Sequence, residues 1–247
     1  MSDTDIIYGR NAVIEAIKSG RSFNKIIIAL GNLGGDIKNV INLAKENGIT
    51  IERAEGKKLD KLAGGGRHQG VVAFVSPIEY VEVDDIIKIA KDKGEQPFLL
   101  LLNEITDPHN LGAIIRSAEA MGVHGVLLPT RRSAKINETV VKTSAGAANY
   151  LPIAQIGNMV QTVNKLKAAG FWAIGADMAG DTLESQKFDF PTLLVIGSEG
   201  KGISHLLKEK LDYLIKIPMK GKINSLNASV AAGILIYEIM RRRNLNG

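Results

Sequence analysis

Four segments apolar at every position constrain this chain more than any other feature: Phe98–Leu102, Gly125–Leu128, Phe171–Gly175 and Leu193–Gly197. A strand with one wet face alternates apolar and polar residues, whereas an uninterrupted apolar run is buried on both faces. These segments therefore predict an α/β unit with a mostly parallel sheet and helices on both faces. The intervening patterns fit that scheme. Helices are expected over 110–121, 138–148, 158–169, 203–210 and 225–243, with a further strand over 212–217. No apolar run approaches the length needed to cross a bilayer.

Residues 6–75 read as a separate small α/β unit. Helices are expected over 11–19, ending at Gly20, and over 36–47, stopped by Gly48. Strands are expected over 25–30, 49–54 and 71–75. Between the last two lies Gly64-Gly65-Gly66-Arg67-His68-Gln69-Gly70, whose four glycines require a loop. The stretch between Val75 and Pro97 carries the acidic segment 79–95 and a helical pattern over 83–93, so it reads as a structured connector. The expected division is 1–76, a connector over 77–96, and 97–247. Charge follows it. Residues 1–75 hold 11 basic and 8 acidic side chains, 76–95 hold 3 and 6, and 96–247 hold 17 and 12. A net charge of +5 is compatible with a polyanionic partner. The absence of cysteine excludes disulfides, thiolate metal sites and a cysteine nucleophile. The acidic start Met1–Asp5 lacks the apolar core of a signal peptide, which makes the cytoplasm the expected compartment.

Ligands of open α/β sheets bind beyond the carboxyl ends of the strands, so the loops following the strands carry the functional question. The first leads through Asp107-Pro108 into a helix, a cap oxygen followed by a preset φ. Arg116 on that helix falls about 140° from Leu111 at ~100° per residue, off the apolar face. It could grip a phosphate or form a surface pair with Glu119. The second loop, Gly197-Ser198-Glu199-Gly200-Lys201-Gly202, is neither a P-loop nor a dinucleotide fingerprint: Val195 stands where a P-loop needs glycine, and Gly202 follows the lysine. Either a tight turn or close backbone approach to a ligand explains its glycines. In the third loop, from Ile217 to Ser229, Asn224 or Ser225 can cap a final helix rich in small residues. That helix is either an ordinary amphipathic one or one packed closely on a ligand. A basic cluster, Arg131, Arg132 and Lys135 with Lys142 beyond, suits a phosphate backbone or is a solvated loop. His68, His109, His124 and His205 share no ligand spacing, so no metal site is expected.

Taken together, three motifs resemble those of the SpoU (TrmH-type) RNA ribose 2'-O-methyltransferases of the SPOUT superfamily. They are Asp107-Pro108-x-Asn110-x-Gly112-x-x-x-Arg116, Gly197-Ser198-Glu199-Gly200-x-Gly202, and Ile217-Pro218-Met219 with Ser225-Leu226-Asn227-x-Ser229. Tyr8-Gly9-Arg10 and His68-Gln69-Gly70 resemble the ribosomal-protein-like substrate-binding domain of bacterial 23S ribosomal RNA guanosine-2'-O-methyltransferases.

The resemblance implies a C-terminal trefoil knot, a homodimer with RNA crossing between subunits, and S-adenosylmethionine as donor. It implies donor contacts at Gly197, Ile217 and Leu226, with Glu199, Gly200, Met219 and Ser225 nearby. It assigns deprotonation of the ribose to Arg116. Because a guanidinium holds its proton below about pH 12, an arginine could equally hold a phosphate and stabilise the alkoxide. Asn110, Glu199 and Ser229 would complete the catalytic set, with Asn227 supporting the loop. Arg10, Lys25 and Arg67 would bind RNA, as would Arg131, Arg132, Lys135 and Lys142. A transfer RNA ribose methyltransferase and a non-catalytic RNA-binding assembly factor are the alternatives. The latter would be marked by substitution at Arg116, Asn110 or Glu199, and none is substituted.

Overall fold

A computed structural model describes residues 6–31, 34–182, 188–222 and 225–244. The chain divides into two compact units, residues 1–79 with 135–137, and residues 80–134 with 138–247.

In chain order the first unit runs β1 (Ile6–Tyr8), α1 (Arg10–Lys18), β2 (Phe23–Ala29), α2 (Gly35–Glu46), β3 (Ile51–Ala54), α3 (Gly56–Leu62) and β4 (Val71–Val75). The sheet order is β1-β4-β2-β3, with β4 antiparallel to β1 and β2, and β2 parallel to β3. Side chains alternate across the strands. Ile26, Ile28, Val71 and Ala73 accordingly meet Val13, Ile17, Ile37 and Val40 of α1 and α2, while Ile27 and Val72 meet Leu59 of α3 on the other face. Strand β1 and helix α3 have no counterpart in the sequence reading. The first is only three residues long, and Gly56 with two lysines opens the second. Asn24 Nδ2 donates to Ile136 O at 2.8 Å, so the short segment 135–137 belongs with this unit.

The second unit runs α4 (Val83–Asp92), β5 (Phe98–Leu102), α5 (Pro108–Ala120), β6 (Gly125–Pro129), α6 (Glu138–Thr143), β7 (Ile153–Ile156), α7 (Met159–Ala168), β8 (Trp172–Asp181), β9 (Thr192–Ile196), α8 (His205–Lys208), β10 (Tyr213–Ile215) and α9 (Ala228–Asn244). Its six strands lie in the order β10-β8-β9-β5-β6-β7, and every pair is parallel. Leu99, Leu101, Leu193 and Val195 face α4, α7 and α8 through Ile86, Val163, Leu166 and Leu207. Helices α5 and α9 pack on each other. Helix α9 runs along the opposite face, where Leu235 shares a cavity with Ile196 and Arg243 lies over the Phe98 ring at 4.9 Å. The fully buried Ile86 makes α4, inside the stretch read as a connector, part of this core.

Three local expectations are corrected. The helix expected over 138–148 ends at Thr143: Ala145 and Gly146 adopt left-handed φ of 51° and 86°, and a 3-10 turn, Ala147–Asn149, follows. The buried Ser144 side chain holds this break, donating to Val141 O and accepting from Ala148 N. Strand β7 went unread because it is four residues long and carries Gln155. Finally, Asn227 caps α9, its Oδ1 accepting from Ser229 N at 2.9 Å and Val230 N at 3.3 Å. Ser225 lies too far upstream for that role, and Asn224 falls outside the described residues.

Candidate active site

The carboxyl ends of β8, β9 and β10 surround a cavity of about 260 Å³. Its walls come from three segments. Strand β8 is interrupted: Leu214 of β10 pairs with Gly175 and Ile215 with Asp181, so residues 176–180 bulge and place Ala176, Asp177 and Met178 in the wall. Gly180 makes this possible, since a Cβ there would lie 2.4 Å from the Leu214 backbone. Beyond β9, Ser198 and Gly202 pair across a tight turn, with Gly202 N donating to Ser198 O at 2.9 Å. A Cβ at Gly197 would sit 2.2 Å from Gly202 C, so glycine is obligatory there. The third wall is formed by Ile217, Met219, Ser225 and Leu226 leading into Ala228, Ala231 and Leu235 of α9. The small residues of α9 thus face a cavity as well as packing against α5.

One carboxylate joins the three motifs. Glu199 Oε1 accepts from Asn110 Nδ2 at 3.1 Å, from Ala228 N at 3.2 Å, and from Asn227 Nδ2. Asn227 Nδ2 also reaches Asn110 Oδ1 at 2.9 Å, and Asn227 Oδ1 accepts from Ser229 Oγ. Asp107 sets Asn110 in place by accepting from His109 N and Asn110 N at the start of α5. Gly112 lets α5 approach α6, because a Cβ there would meet Thr143 Cβ at 2.7 Å. Asn110, Glu199, Asn227 and Ser229 are therefore one network at the cavity, although they lie far apart in the chain.

Arg116 is exposed on α5, outside the network and the cavity lining, with no hydrogen bond or ion pair among the described residues. A surface pair with Glu119 is not formed. Of the donor contacts implied by the motifs, Gly197, Glu199, Ile217, Met219, Ser225 and Leu226 line the cavity, whereas Gly200, with open space around its Cβ position, does not.

Sequence reasoning missed Asp177. Burial pushes its carboxyl up, but hydrogen bonds from Lys208 Nζ at 2.8 Å and Ala179 N at 2.9 Å outweigh this and hold it below its ordinary value. The rule that ligands bind beyond strand carboxyl ends pointed to residues 176–178, directly after the apolar run ending at Gly175.

The expected RNA-binding residues are distributed over both units. In the first, Arg10 and Arg67 line one polar recess with Asn11, Asp36 and Gln69. Gln69, at φ 52°, accepts from Arg10 Nε through its backbone oxygen at 3.0 Å. Lys25 is held by Glu52 at 3.0 Å and lies over the Phe74 ring. Lys135 also belongs to the first unit, where burial and the nearby Lys25 charge lower its pKa to about 8. In the second unit Arg131, Arg132 and Lys142 are exposed, and Arg132 pairs with Glu104 at 3.3 Å. No cluster suited to a metal ion occurs among the described residues, and no helix there is long and apolar enough to cross a membrane.

Residues 97–237 match the model of the SpoU rRNA methylase family, and residues 6–81 match that of the substrate-binding domain of RNA 2'-O ribose methyltransferases. The chain belongs to the SpoU family. YacO of Bacillus subtilis, named for the TrmH family of tRNA/rRNA methyltransferases, is 49% identical over 97% of this chain and 96% of its own. A Staphylococcus haemolyticus relative of the same family name is 44% identical over 98% and 97%. Among solved structures, the SpoU methyltransferase AviRb of Streptomyces viridochromogenes, in complex with the cofactor AdoMet, superposes with a TM-score of 0.60 at 26% identity, covering 98% of this chain and 91% of that one. The A. aeolicus TrmH/SpoU tRNA modifying enzyme superposes with a TM-score of 0.56 at 30% identity, over 66% of this chain and 85% of its own.

Proposed function

We propose that this SpoU-family protein methylates the 2'-hydroxyl of a ribose in RNA, that the donor is S-adenosylmethionine, and that the target is a guanosine of 23S ribosomal RNA. The observation that carries this reading is the Glu199 network, which gathers all three motifs at one cavity. The cavity suits the donor: Ile196, Ile217, Leu226 and Leu235 supply apolar walls for a purine, and the glycine turn offers backbone groups.

When bound, the donor supplies a methyl group on a sulfonium centre. Transfer to the ribose oxygen would leave the donor as a neutral thioether, and the hydroxyl proton would pass to solvent water. The protein's task is alignment and charge stabilisation. Asn110 and Ser229, fixed through Glu199 and Asn227, orient the ribose. Arg116 lies outside the cavity lining of its own chain and has no hydrogen bond or ion pair among the described residues, so in the proposed homodimer it takes the adjoining phosphate and stabilises the developing alkoxide across the subunit boundary.

Domain content favours ribosomal over transfer RNA. The tRNA modifying enzyme aligns with only 66% of this chain, which carries in addition the substrate-binding domain matched over residues 6–81. Arg10 and Arg67 in that domain would contact the RNA. A homodimer belongs to the same reading: Val230, Ile234 and Tyr237 form an exposed apolar stripe at helical spacing on α9. So do the trefoil-knotted arrangement of the C-terminal loops, a division into 1–76, 77–96 and 97–247, and a cytoplasmic location.

The test incubates the full chain with labelled donor and RNA from cells lacking the protein, then maps 2'-O-methyl sites. Methylation of one guanosine in 23S RNA is expected. Label confined to transfer RNA overturns the substrate assignment, and no label in any RNA overturns the activity.

A further inference from the structure

A second recess, of about 410 Å³, opens in the second unit and shares no lining residue with the donor cavity. It lies at the carboxyl ends of β5, β6 and β7, where Glu104, Pro129 and Gly157 form one wall. Ser204, His205 and Leu206 form the other. These three follow the glycine turn, so the segment 197–206 faces the donor cavity at its start and the recess at its end. A hydrogen bond connects the two sides: Asn103 Nδ2, next to Glu104, donates to Gly202 O at 3.2 Å.

The lining combines two kinds of surface. Leu206 is 69% exposed, and the half-buried Met159 lines the same recess, so apolar surface faces solvent there. Arg131 is exposed at the rim without a hydrogen bond or ion pair among the described residues. Glu104 and Arg132 adopt left-handed φ of 58° and 54° and are bridged to each other. Non-glycine residues hold that conformation only where their surroundings impose it, and such residues concentrate at functional sites. Apolar surface with a free cation at its edge suits a flat base attached to a phosphate, the pairing that recurs in single-strand recognition.

Resting on the function proposed above, we infer that this recess holds one unstacked nucleotide of the RNA strand, a neighbour of the methylated one. Its base lies against Leu206 and Met159, and its phosphate lies on Arg131. The methylated ribose must lie at the donor cavity, so the recess takes a different nucleotide. Occupancy thereby fixes the strand at two points on either side of the segment 197–206.

The test uses the full chain, fluorescein-labelled decauridine as the single-strand probe, and the variants R131A, R131K and L206D. Weakening of RNA binding by about tenfold is expected for R131A and L206D, with R131K recovering most of the loss. The salt dependence of R131A should fall by about 0.7 of one counterion. Affinity for S-adenosylhomocysteine, measured by calorimetry, should stay unchanged in all three, which also reports correct folding. In decamers carrying 4-thiouridine, photocrosslinks should map to residues 204–206. Unchanged RNA affinity in R131A and L206D, or crosslinks confined to the first unit, would overturn the assignment. So would a change of oligomeric state in L206D, which would make the face a contact between copies. None of these readouts requires methyl transfer, so an inactive wild type refutes the proposed reaction and leaves this inference to its own result.

Discussion

The two ends of the parallel sheet treat charge in opposite ways. At the amino ends of β5 and β9, Arg243 is half-buried. It donates to the backbone oxygens of Gln96, Pro97 and Phe190 and to Thr192 Oγ1, and burial lowers its pKa to about 10. His124 is 3% exposed at the same end, accepting from Phe98 N through Nδ1 while Nε2 faces Glu95 at 3.1 Å. At the carboxyl ends, Arg131 lines a recess, exposed and without a hydrogen bond or ion pair among the described residues, and Glu199 uses its hydrogen-bonding capacity to join three motifs. A charge enclosed by partners is a latch. A charge left without one, next to a cavity, is available to a ligand. The same residue type therefore reads as stability at one end of the sheet and as function at the other.

The strongest way to break this contrast is to remove the latch. R243M removes the donor to Gln96 O and Thr192 Oγ1, while Pro97 O and Phe190 O still accept from Thr192, and leaving such acceptors bare costs about 1–3 kcal/mol each. Chemical denaturation should show a loss of that size in the second unit, with donor affinity unchanged for the protein that remains folded. Equal stability of R243M and wild type would contradict a structural role. R116A is the converse experiment. Its stability should match wild type within about 0.5 kcal/mol, the ordinary range for surface substitutions. Its turnover should fall about 10²–10³-fold, as for removal of one transition-state charge partner. Near-normal turnover with intact donor binding would remove Arg116 from the mechanism.

A smaller effect is expected in the first unit, where Arg10 and Arg67 face a recess rather than a core. The double variant R10A/R67A should lose about tenfold to a hundredfold in RNA affinity, with a shallower salt dependence, while donor affinity is unchanged. An unaltered salt slope would show that these arginines meet no phosphate.

Legibility in the sequence followed the same division. The apolar runs 98–102, 125–128 and 193–197 announced the buried strands because burial on both faces leaves no polar position within them. Short edge elements such as β1 and β7 did not, since three or four residues carry no usable period. The motif residues Asn110, Glu199 and Asn227 could be named, but their union at one oxygen could not, because it depends on how loops some 90 and 117 positions apart meet. Asp177 was hidden for a related reason: only the bulge in β8 turns it into the cavity. The latch at Arg243 was invisible as well, since an arginine near the end of a helix normally reads as solvated.

His124 gives the smallest effect and the finest test of the latch. Its Nδ1 accepts the Phe98 N–H, so the neutral ring carries its proton on Nε2 and donates it to Glu95. Protonating Nδ1 destroys the bond to Phe98 and charges a buried ring. Burial accordingly lowers the pKa, against the opposing pull of Glu95. The unfolded chain, with an ordinary histidine near pH 6.5, then binds the proton more readily than the folded one. Stability from this group is complete above that value and is lost as pH falls from about 6.5 through the lower folded pKa. Denaturation curves between pH 8 and 5 should show this decline in wild type and a shallower one in H124Q, whose amide does not titrate. Identical slopes would mean that the ring takes up its proton as easily in the fold as outside it, and that Glu95, rather than burial, governs this end of the sheet.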